Sequence, residues 1–376
     1  MATSTPSPPS LPKSMKAIQF STTSGDFLPS LRFNSSANLP PTAHSLAPDT
    51  ILVQVLTAAL NPVEYKLLTV PFVKSLFIKP DSTPGMDFAG RCVSASLSDP
   101  SVPTDPKPGD LVFGRLASPL AARVGTLAEY TVVPRAACVR VPEGVEVDEA
   151  AGIGTVGLTA FQSIVPFLPS SSTSEFPDSD RGQRQRQRKV FINGGSGGVG
   201  TFGIQIAKAM GCHVVTSCST GNVELCKGLG ADKVIDYKTQ DLVDELVKVG
   251  GFDLAVDNVN APQDLYWQAH RFMNVKEGRW VQVGSGISFG EAVFLCKKVL
   301  WPAWLGGGQL KLSILSLTNL PKDFTKIADW MAEGKVRCVV EGRFRFDLEG
   351  VKNAYATLMA GHAKGKVLVE VGKHGT

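Results

Sequence analysis

Residues 189 to 200 read Lys-Val-Phe-Ile-Asn-Gly-Gly-Ser-Gly-Gly-Val-Gly, and no other stretch restricts the fold as tightly. Val190 to Ile192 is a short apolar run of the kind found in a buried parallel strand. A glycine cluster follows, in which Gly195, Gly197 and Gly200 satisfy G-x-G-x-x-G, with Ser196, Gly198 and Val199 between them. Thr201 to Met210 then places apolar residues at helical spacing. Strand, glycine turn and helix form the pyrophosphate-binding corner of a dinucleotide fold. Glycine lets the backbone turn sharply and approach a phosphate. The helix N-terminus offers free N–H groups and a partial positive charge. A glycine-rich turn without a ligand is the competing reading. The strand before, the helix after and the βαβ pattern downstream favour the dinucleotide site.

A chain of 376 residues is long enough for two domains. With 43% hydrophobic and 19% charged residues it has a soluble, globular balance. A net charge of +4 is too small to argue for nucleic acid or a membrane surface. No apolar stretch approaches the roughly 18 residues of a membrane span. The seven cysteines form no C-x-x-C pair and no metal-like cluster, which suits a reducing compartment. The first 14 residues lack a signal-peptide core and the arginines of a mitochondrial presequence. They are expected to be a disordered extension, with a cytoplasmic location ahead of a mitochondrial one. Residues 169–188 are Ser-rich, then acidic, then alternate Arg and Gln. They are expected to be an exposed insertion rather than an RNA contact.

From Met15 to residue 150 short strand-like runs alternate with turn signals such as Pro108-Gly109-Asp110, which suggests a compact β-barrel-like domain. Met15–Phe20, Ile51–Ala58, Arg91–Ala95, Leu111–Gly114, Gly125–Val133 and Cys138–Val141 are its expected strands. Ala150–Ser163 reads as one helix-like segment. Strands and helices then alternate, with strands expected at Val190–Asn193, His213–Ser217, Lys233–Ile235, Asp253–Asp257, Trp280–Val283 and Lys311–Leu317. That is the pattern of a doubly wound parallel sheet. Asp323–Gly334 is amphipathic, and Phe344–Val371 has strand, helix and strand character. The expected division is 15–150, 151–320 and a C-terminal return, 321–376, to the first domain.

The order of motifs resembles the medium-chain dehydrogenase/reductase superfamily in its zinc-independent quinone oxidoreductase branch. The resemblance runs from Met15 to Val371. It is carried by Leu60-Asn61-Pro62-Val63-Glu64-Tyr65-Lys66, Pro84-Gly85-Met86-Asp87-Phe88-Ala89-Gly90, Pro108-Gly109-Asp110, Gly157-Leu158-Thr159-Ala160, Gly194 to Gly200, and Leu229-Gly230-Ala231-Asp232-Lys233-Val234-Ile235-Asp236-Tyr237. Gly361-His362-Ala363-Lys364-Gly365-Lys366-Val367 is similar to the plant chloroplast-envelope and mitochondrial reticulon-interacting groups. Fungal trans-acting enoyl reductases of polyketide synthesis are also similar. The resemblance implies an α/β protein: a GroES-like β-barrel catalytic domain plus a Rossmann domain, with the active site in the cleft. It implies NADPH-dependent reduction of a small-molecule quinone or of a carbon–carbon double bond conjugated to a carbonyl; the alternatives are a trans-acting enoyl reductase of a polyketide synthase, with a carrier-tethered substrate, and a non-catalytic cofactor-binding protein with a regulatory or scaffolding role. Relatives are dimers or monomers, which leaves a homodimer open.

The expected second strand of the nucleotide fold, His213–Ser217, is followed by Cys218-Ser219-Thr220-Gly221-Asn222, and no carboxylate occurs before Glu224. An acidic residue there would bind the ribose hydroxyls of NAD. Without it a 2′-phosphate meets no repulsion, and Ser219 and Asn222 can donate to it, so NADPH is the expected cofactor. Ser219 also reads as a simple helix N-cap. The resemblance assigns Tyr237 to the adenosine ribose and phosphate. It assigns Thr159, Val283, Gly284 and Ser285 to the nicotinamide end.

Zinc-dependent members of the superfamily use Cys and His ligands. Here Asn61 stands near the first ligand position, and Gly85-Met86-Asp87 replaces Gly-His-Glu, so no metal site is expected. An enolate formed by hydride addition then needs another partner, and donors aimed at the carbonyl oxygen are the usual one. Lys66 and Tyr65 are the candidates, with Asn61 positioning nicotinamide or substrate. Lys66 reads equally as a solvated helix lysine and Tyr65 as core. The run Phe289–Leu305, with Trp301 and Trp304, reads as pocket lining, dimer surface or core.

Overall fold

The computed structural model describes residues 11–22, 25–66, 68, 78–96, 105–117, 125–168, 187–284, 289–301, 305 and 307–372. The expected extension up to residue 10, residues 169–186 of the insertion, Ser285 and Trp304 lie outside them.

In chain order the first elements are β1 (Met15–Phe20), β2 (Leu31–Ala37), β3 (Thr50–Leu60), α1 (Pro62–Lys66), β4 (Asp87–Ala95), β5 (Leu111–Arg115), β6 (Tyr130–Pro134), β7 (Cys138–Arg140) and α2 (Val147–Ala151). Next come α3 (Leu158–Ile164), β8 (Lys189–Asn193), α4 (Gly198–Ala209), β9 (His213–Cys218), α5 (Val223–Gly228), β10 (Lys233–Asp236), α6 (Leu242–Val249), β11 (Leu254–Asp257), α7 (Leu265–Gln268), β12 (Arg279–Gln282), α8 (Phe289–Leu300) and β13 (Lys311–Ile314). The chain ends with α9 (Pro321–Ala332), β14 (Val340–Arg345), α10 (Leu348–Met359) and β15 (Lys366–Glu370). These make two compact units, one of residues 1–155, 318–332 and 340–376, the other of residues 156–317 and 333–339. The division falls at Thr155/Val156, where the sequence reading drew it at 150/151.

The first unit holds a seven-stranded sheet in the order β14-β15-β3-β4-β5-β7, with β6 also on β3, and a separate β1-β2 pair. β3 is central because it pairs antiparallel with β4, β6 and β15, and nearly all its residues are buried. The sequence reading missed β2, whose Arg-Phe-Asn-Ser-Ser run has little apolar alternation. Pairing with β1, not local pattern, makes it a strand. Phe20, Phe27, Tyr65, Phe88 and Tyr355 centre the core of this unit.

The second unit is a six-stranded, wholly parallel sheet in the order β10-β9-β8-β11-β12-β13. Its strands are short runs of Val, Ile, Ala and Phe buried on both faces, as helix-covered parallel strands must be. Phe191, Phe252 and Phe272 pack edge to face in its core. The strand order reverses between β8 and β11. Ligands of open α/β sheets bind beyond the carboxyl ends of strands at such a point.

The segment expected to be one helix from Ala150 to Ser163 is instead α2, a π-helical turn Ile153–Gly157, and α3. A side chain at Gly154 would place its Cβ 2.4 Å from the Asp87 carboxyl carbon. The widened turn and the bare glycine let backbone and carboxylate pass closely.

Candidate functional site

The glycine loop of the second unit lies where its sequence places it. β8 ends at Asn193, Gly194 turns the chain with φ +80°, and α4 begins at Gly198 with Gly197 as its extended N-cap. The glycines are not equivalent. A Cβ on Gly195 would sit 2.1 Å from the Thr216 hydroxyl, and one on Gly200 2.1 Å from the Gly194 carbonyl oxygen. Both are bare because protein atoms crowd them. A Cβ on Gly197 meets only the Gly194 oxygen at 3.8 Å. Gly197 is therefore the glycine whose bareness leaves open space in front of a helix N-terminus, a cradle suited to a phosphate. Ser196, Gly198 and Val199 continue the loop into the first helical turn.

Beside it, β9 ends at Cys218 and Ser219 opens a short turn. The Asn222 amide donates to Ser196 Oγ at 3.0 Å and Ser219 Oγ at 3.2 Å. One side chain thus ties the glycine loop to the turn after β9, and both serine hydroxyls retain protons to donate. Ser219 stands at the N-cap of that turn with an extended backbone, but its side chain makes no cap bond. The Tyr237 N–H donates to the Cys218 carbonyl at 3.2 Å, which brings the half-exposed Tyr237 ring beside this turn. Two neighbours escaped the sequence reading. Asp236, at the end of β10, brings a carboxylate close. It is held below the usual range by the Thr220 hydroxyl and also accepts from the Lys238 N–H at 3.0 Å. The Lys238 ammonium lies 5.5 Å from the Tyr237 ring centroid and adds a cation there.

At the other side of β8, the carboxyl ends of β11 and β12 carry a polar network. Asp257 Oδ1 accepts from Asn193 Nδ2 at 2.9 Å and from the Asn260 N–H at 2.9 Å. Gln282 donates to Asp257 Oδ2 at 3.2 Å and to the Gly284 carbonyl at 2.6 Å. The buried Lys298 ammonium of α8 joins Asn260 Oδ1 and Gln282 Oε1, each at 2.8 Å. Burial pulls its pKa below the ordinary lysine value. The N–H groups of Val283 and Gly284 both donate to the Asp257 carbonyl. Thr159 is buried in α3. Trp301 is half exposed and donates to the Leu305 carbonyl at 2.8 Å.

In the first unit, Asn61, Tyr65 and Lys66 fall on or beside α1, and the structure gives them different settings. Asn61 is enclosed. Its amide donates to Asp87 Oδ2 at 2.9 Å and Glu64 Oε1 at 3.2 Å, and its oxygen accepts from Lys366 Nζ at 2.7 Å. Tyr65 packs in the core against Phe27, and its hydroxyl donates to the Leu358 carbonyl at 3.4 Å. Lys66 closes α1 and is exposed.

Asn61 belongs to a buried cluster that spacing did not reveal. Lys366 Nζ donates to Asp87 Oδ2 at 3.1 Å and to the Leu60 carbonyl at 3.0 Å. Thr155 donates to Asp87 Oδ1 at 2.6 Å, and the Tyr355 hydroxyl to Glu64 Oε2 at 2.6 Å. Burial pushes the Glu64 carboxyl up to about 7, against the opposing Tyr355 hydrogen bond. Lys366 opens β15 ahead of its apolar run and is buried there.

Nucleotide and metal fare differently against these residues. An open glycine cradle and a hydroxyl pair fit a dinucleotide. Among the described residues no three His, Cys, Asp or Glu stand together as a metal ligand set. The Lys366 ammonium bonds both Asn61 Oδ1 and Asp87 Oδ2.

Known proteins bear on the whole chain. Residues 47–143 match the alcohol dehydrogenase GroES-like domain family and residues 229–369 the zinc-binding dehydrogenase family. A trans-enoyl reductase of Aspergillus terreus is 47% identical over 363 residues, covering 96% of this chain and 97% of that protein. A chloroplastic quinone-oxidoreductase homolog of Spinacia oleracea is 28% identical, covering 86% of this chain and 90% of its own. Among solved structures, the quinone oxidoreductase from Coxiella burnetii superposes with a TM-score of 0.74 at 25% identity, covering 96% of this chain and all of that one.

Proposed function

The chain belongs to the medium-chain dehydrogenase/reductase superfamily, and from that premise we propose that it is an NADPH-dependent enoyl reductase acting in trans on a carrier-tethered substrate. The reaction adds hydride to the β-carbon of a double bond conjugated to a thioester carbonyl and a proton to the α-carbon. The observation that carries this reading is the near end-to-end match to a trans-enoyl reductase. The sequence alone had put free quinone or enone reduction first. That remains the second reading, favoured by the likeness to quinone oxidoreductases.

NADPH, when bound, supplies the hydride. The protein's part is to bind, orient and polarise. Gly197 and the first turn of α4 would hold the pyrophosphate. Ser196, Ser219, Asn222 and Tyr237 would hold the adenosine ribose and its 2′-phosphate, with Lys238 as an added cation. Val283 and Gly284, with Ser285 beyond the described residues, and Thr159 are proposed for the nicotinamide end. Lys66 is the proposed donor to the substrate carbonyl, because its ammonium can follow developing negative charge. Tyr65 and Asn61 would position α1, since their polar atoms are committed to Leu358 and to the Asp87–Glu64–Lys366 cluster. No step uses a metal.

The test is turnover of NADPH and of NADH with an enoyl thioester on a carrier protein, the same acyl group on a small thiol, a free enone and a quinone. Fastest turnover of the carrier-bound substrate with NADPH is expected. Faster turnover of quinone than of any thioester would favour the second reading, and equal use of NADH would remove the cofactor assignment.

A further inference from the structure

Tyr355 and Lys366 stand near the end of the chain, yet both are buried against the segment that leads into α1. The Tyr355 ring of α10 packs edge to face on Phe27 with centroids 4.8 Å apart, and its hydroxyl donates to Glu64 Oε2 at 2.6 Å. Lys366 Nζ donates to the Leu60 carbonyl and to Asn61 Oδ1, the two residues from which α1 starts. α1 itself has five residues, little more than one turn, too short to hold its shape in isolation. Tertiary contacts must therefore set its place. Both carboxyl oxygens of Glu64 are engaged, Oε1 by the Asn61 amide and Oε2 by the phenol. A satisfied buried network of this kind fixes direction, where apolar packing alone tolerates rotation. α10 adds a second hold, the Leu358 carbonyl on the Tyr65 hydroxyl, but at 3.4 Å it is the weaker one. Lys66 follows Glu64 by two residues, about 200° round the helix, so an anchor on the buried face points Lys66 outward.

We propose that Tyr355 is a positioning residue for the reduction: its hydroxyl, through Glu64, fixes the rotation of α1 and so aims the Lys66 ammonium at the substrate carbonyl. Tyr355 is fully buried, so it acts through α1 and touches neither substrate nor cofactor. The inference rests on the reading of Lys66 as the carbonyl donor. It adds a residue 291 positions beyond Glu64 in sequence that no motif marked.

The test is a double-mutant cycle on the full chain: the parent, Tyr355→Phe, Lys66→Met and the two together. Each is assayed with NADPH and the substrate of the panel above that the parent reduces fastest, and titrated separately with NADPH. Tyr355→Phe keeps the ring on Phe27 and deletes only the hydroxyl. It is expected to lower kcat about ten- to a hundredfold, the effect of a small misplacement, and to leave the NADPH dissociation constant within about twofold. In the Lys66→Met background the same change should cost less than about twofold, because the group being aimed is already gone. A merely structural loosening would act equally in both backgrounds. Glu64→Gln keeps an acceptor for the phenol and should retain turnover within a few-fold. Should Tyr355→Phe fail to fold, Glu64→Ala breaks the same bond from the other side and takes its place in the cycle. Parent turnover in Tyr355→Phe, or an equal loss with and without Lys66, would overturn the inference alone, provided Lys66→Met is itself impaired. Parent turnover in Lys66→Met would remove the donor reading and the inference with it, and so would a parent that reduces nothing in the panel.

Discussion

At the scale of single residues, neighbours in sequence have divergent settings. Tyr65 and Lys66 are adjacent, yet one is a core ring and the other is exposed at the end of α1. Removing the Lys66 ammonium by Lys66→Met should lower turnover roughly a hundred- to a thousandfold, the usual worth of an oxyanion donor, with NADPH affinity little changed. Tyr65→Phe should leave turnover within a few-fold. Steady-state kinetics beside a separate cofactor titration decides it, and wild-type turnover in Lys66→Met would exclude its role. Glu64 makes a different prediction. Its carboxyl titrates at about 7 in the fold, against 4.5 for an ordinary glutamate. The folded state holds that proton more tightly than the unfolded chain does. The stability this gives is complete below about pH 4.5 and is lost as pH rises through 7, a change of about 3 kcal/mol. Urea midpoints measured from pH 4.5 to 8 should fall for the parent. They should fall less for Glu64→Gln, which keeps an acceptor for Tyr355. Parallel curves for the two proteins would refute the assignment.

At the scale of elements, the phosphate loop shows how one motif divides its labour. Every glycine of G-x-G-x-x-G looks interchangeable in sequence, and a valine at either Gly197 or Gly200 reads as equally harmful to binding alone. The structure separates them. Gly200 lies against the backbone of Gly194 and Gly195, so Gly200→Val must displace the turn and should lower stability along with binding. Gly197 is extended and faces open space. Gly197→Val should keep the circular dichroism spectrum and melting temperature of the parent while raising the NADPH dissociation constant at least tenfold, because a side chain fills the phosphate's place. Calorimetry with both variants checks this. Binding preserved in Gly197→Val would move the phosphate elsewhere. The turn after α2 carries a related lesson, for a π-helical turn at Gly154 makes room for Asp87 where a regular helix was expected.

At the scale of the molecule, the chain carries a domain family described as zinc-binding together with a first unit whose polar heart is an ammonium. Lys366 reaches Asp87, Asn61 and the Leu60 carbonyl from β15, about 300 residues beyond α1 in sequence. The charge a metal would bring is already present, and the nitrogen and sulfur ligands that zinc prefers are absent from this cluster. Purified protein is expected to contain well under one zinc per chain and to keep its activity after chelation. Activity lost to a chelator and restored by zinc would contradict that.

Local pattern was enough for the glycine loop, the alternating strands of the second unit and the family, because backbone turns, strand periodicity and motif order are written within a few residues of one another. The absence of a carboxylate directly after β9 was legible too. Its counterpart Asp236 was not, because β10 reaches that turn only through parallel pairing with β9. The polar network around Asp257, the anchoring of Asn61 and the raised pKa of Glu64 depend on groups tens to hundreds of residues apart. Burial and hydrogen-bond satisfaction are properties of the packed chain. Only tertiary structure could decide that Tyr65 and Asn61 are held inside and that Gly197 is the open glycine.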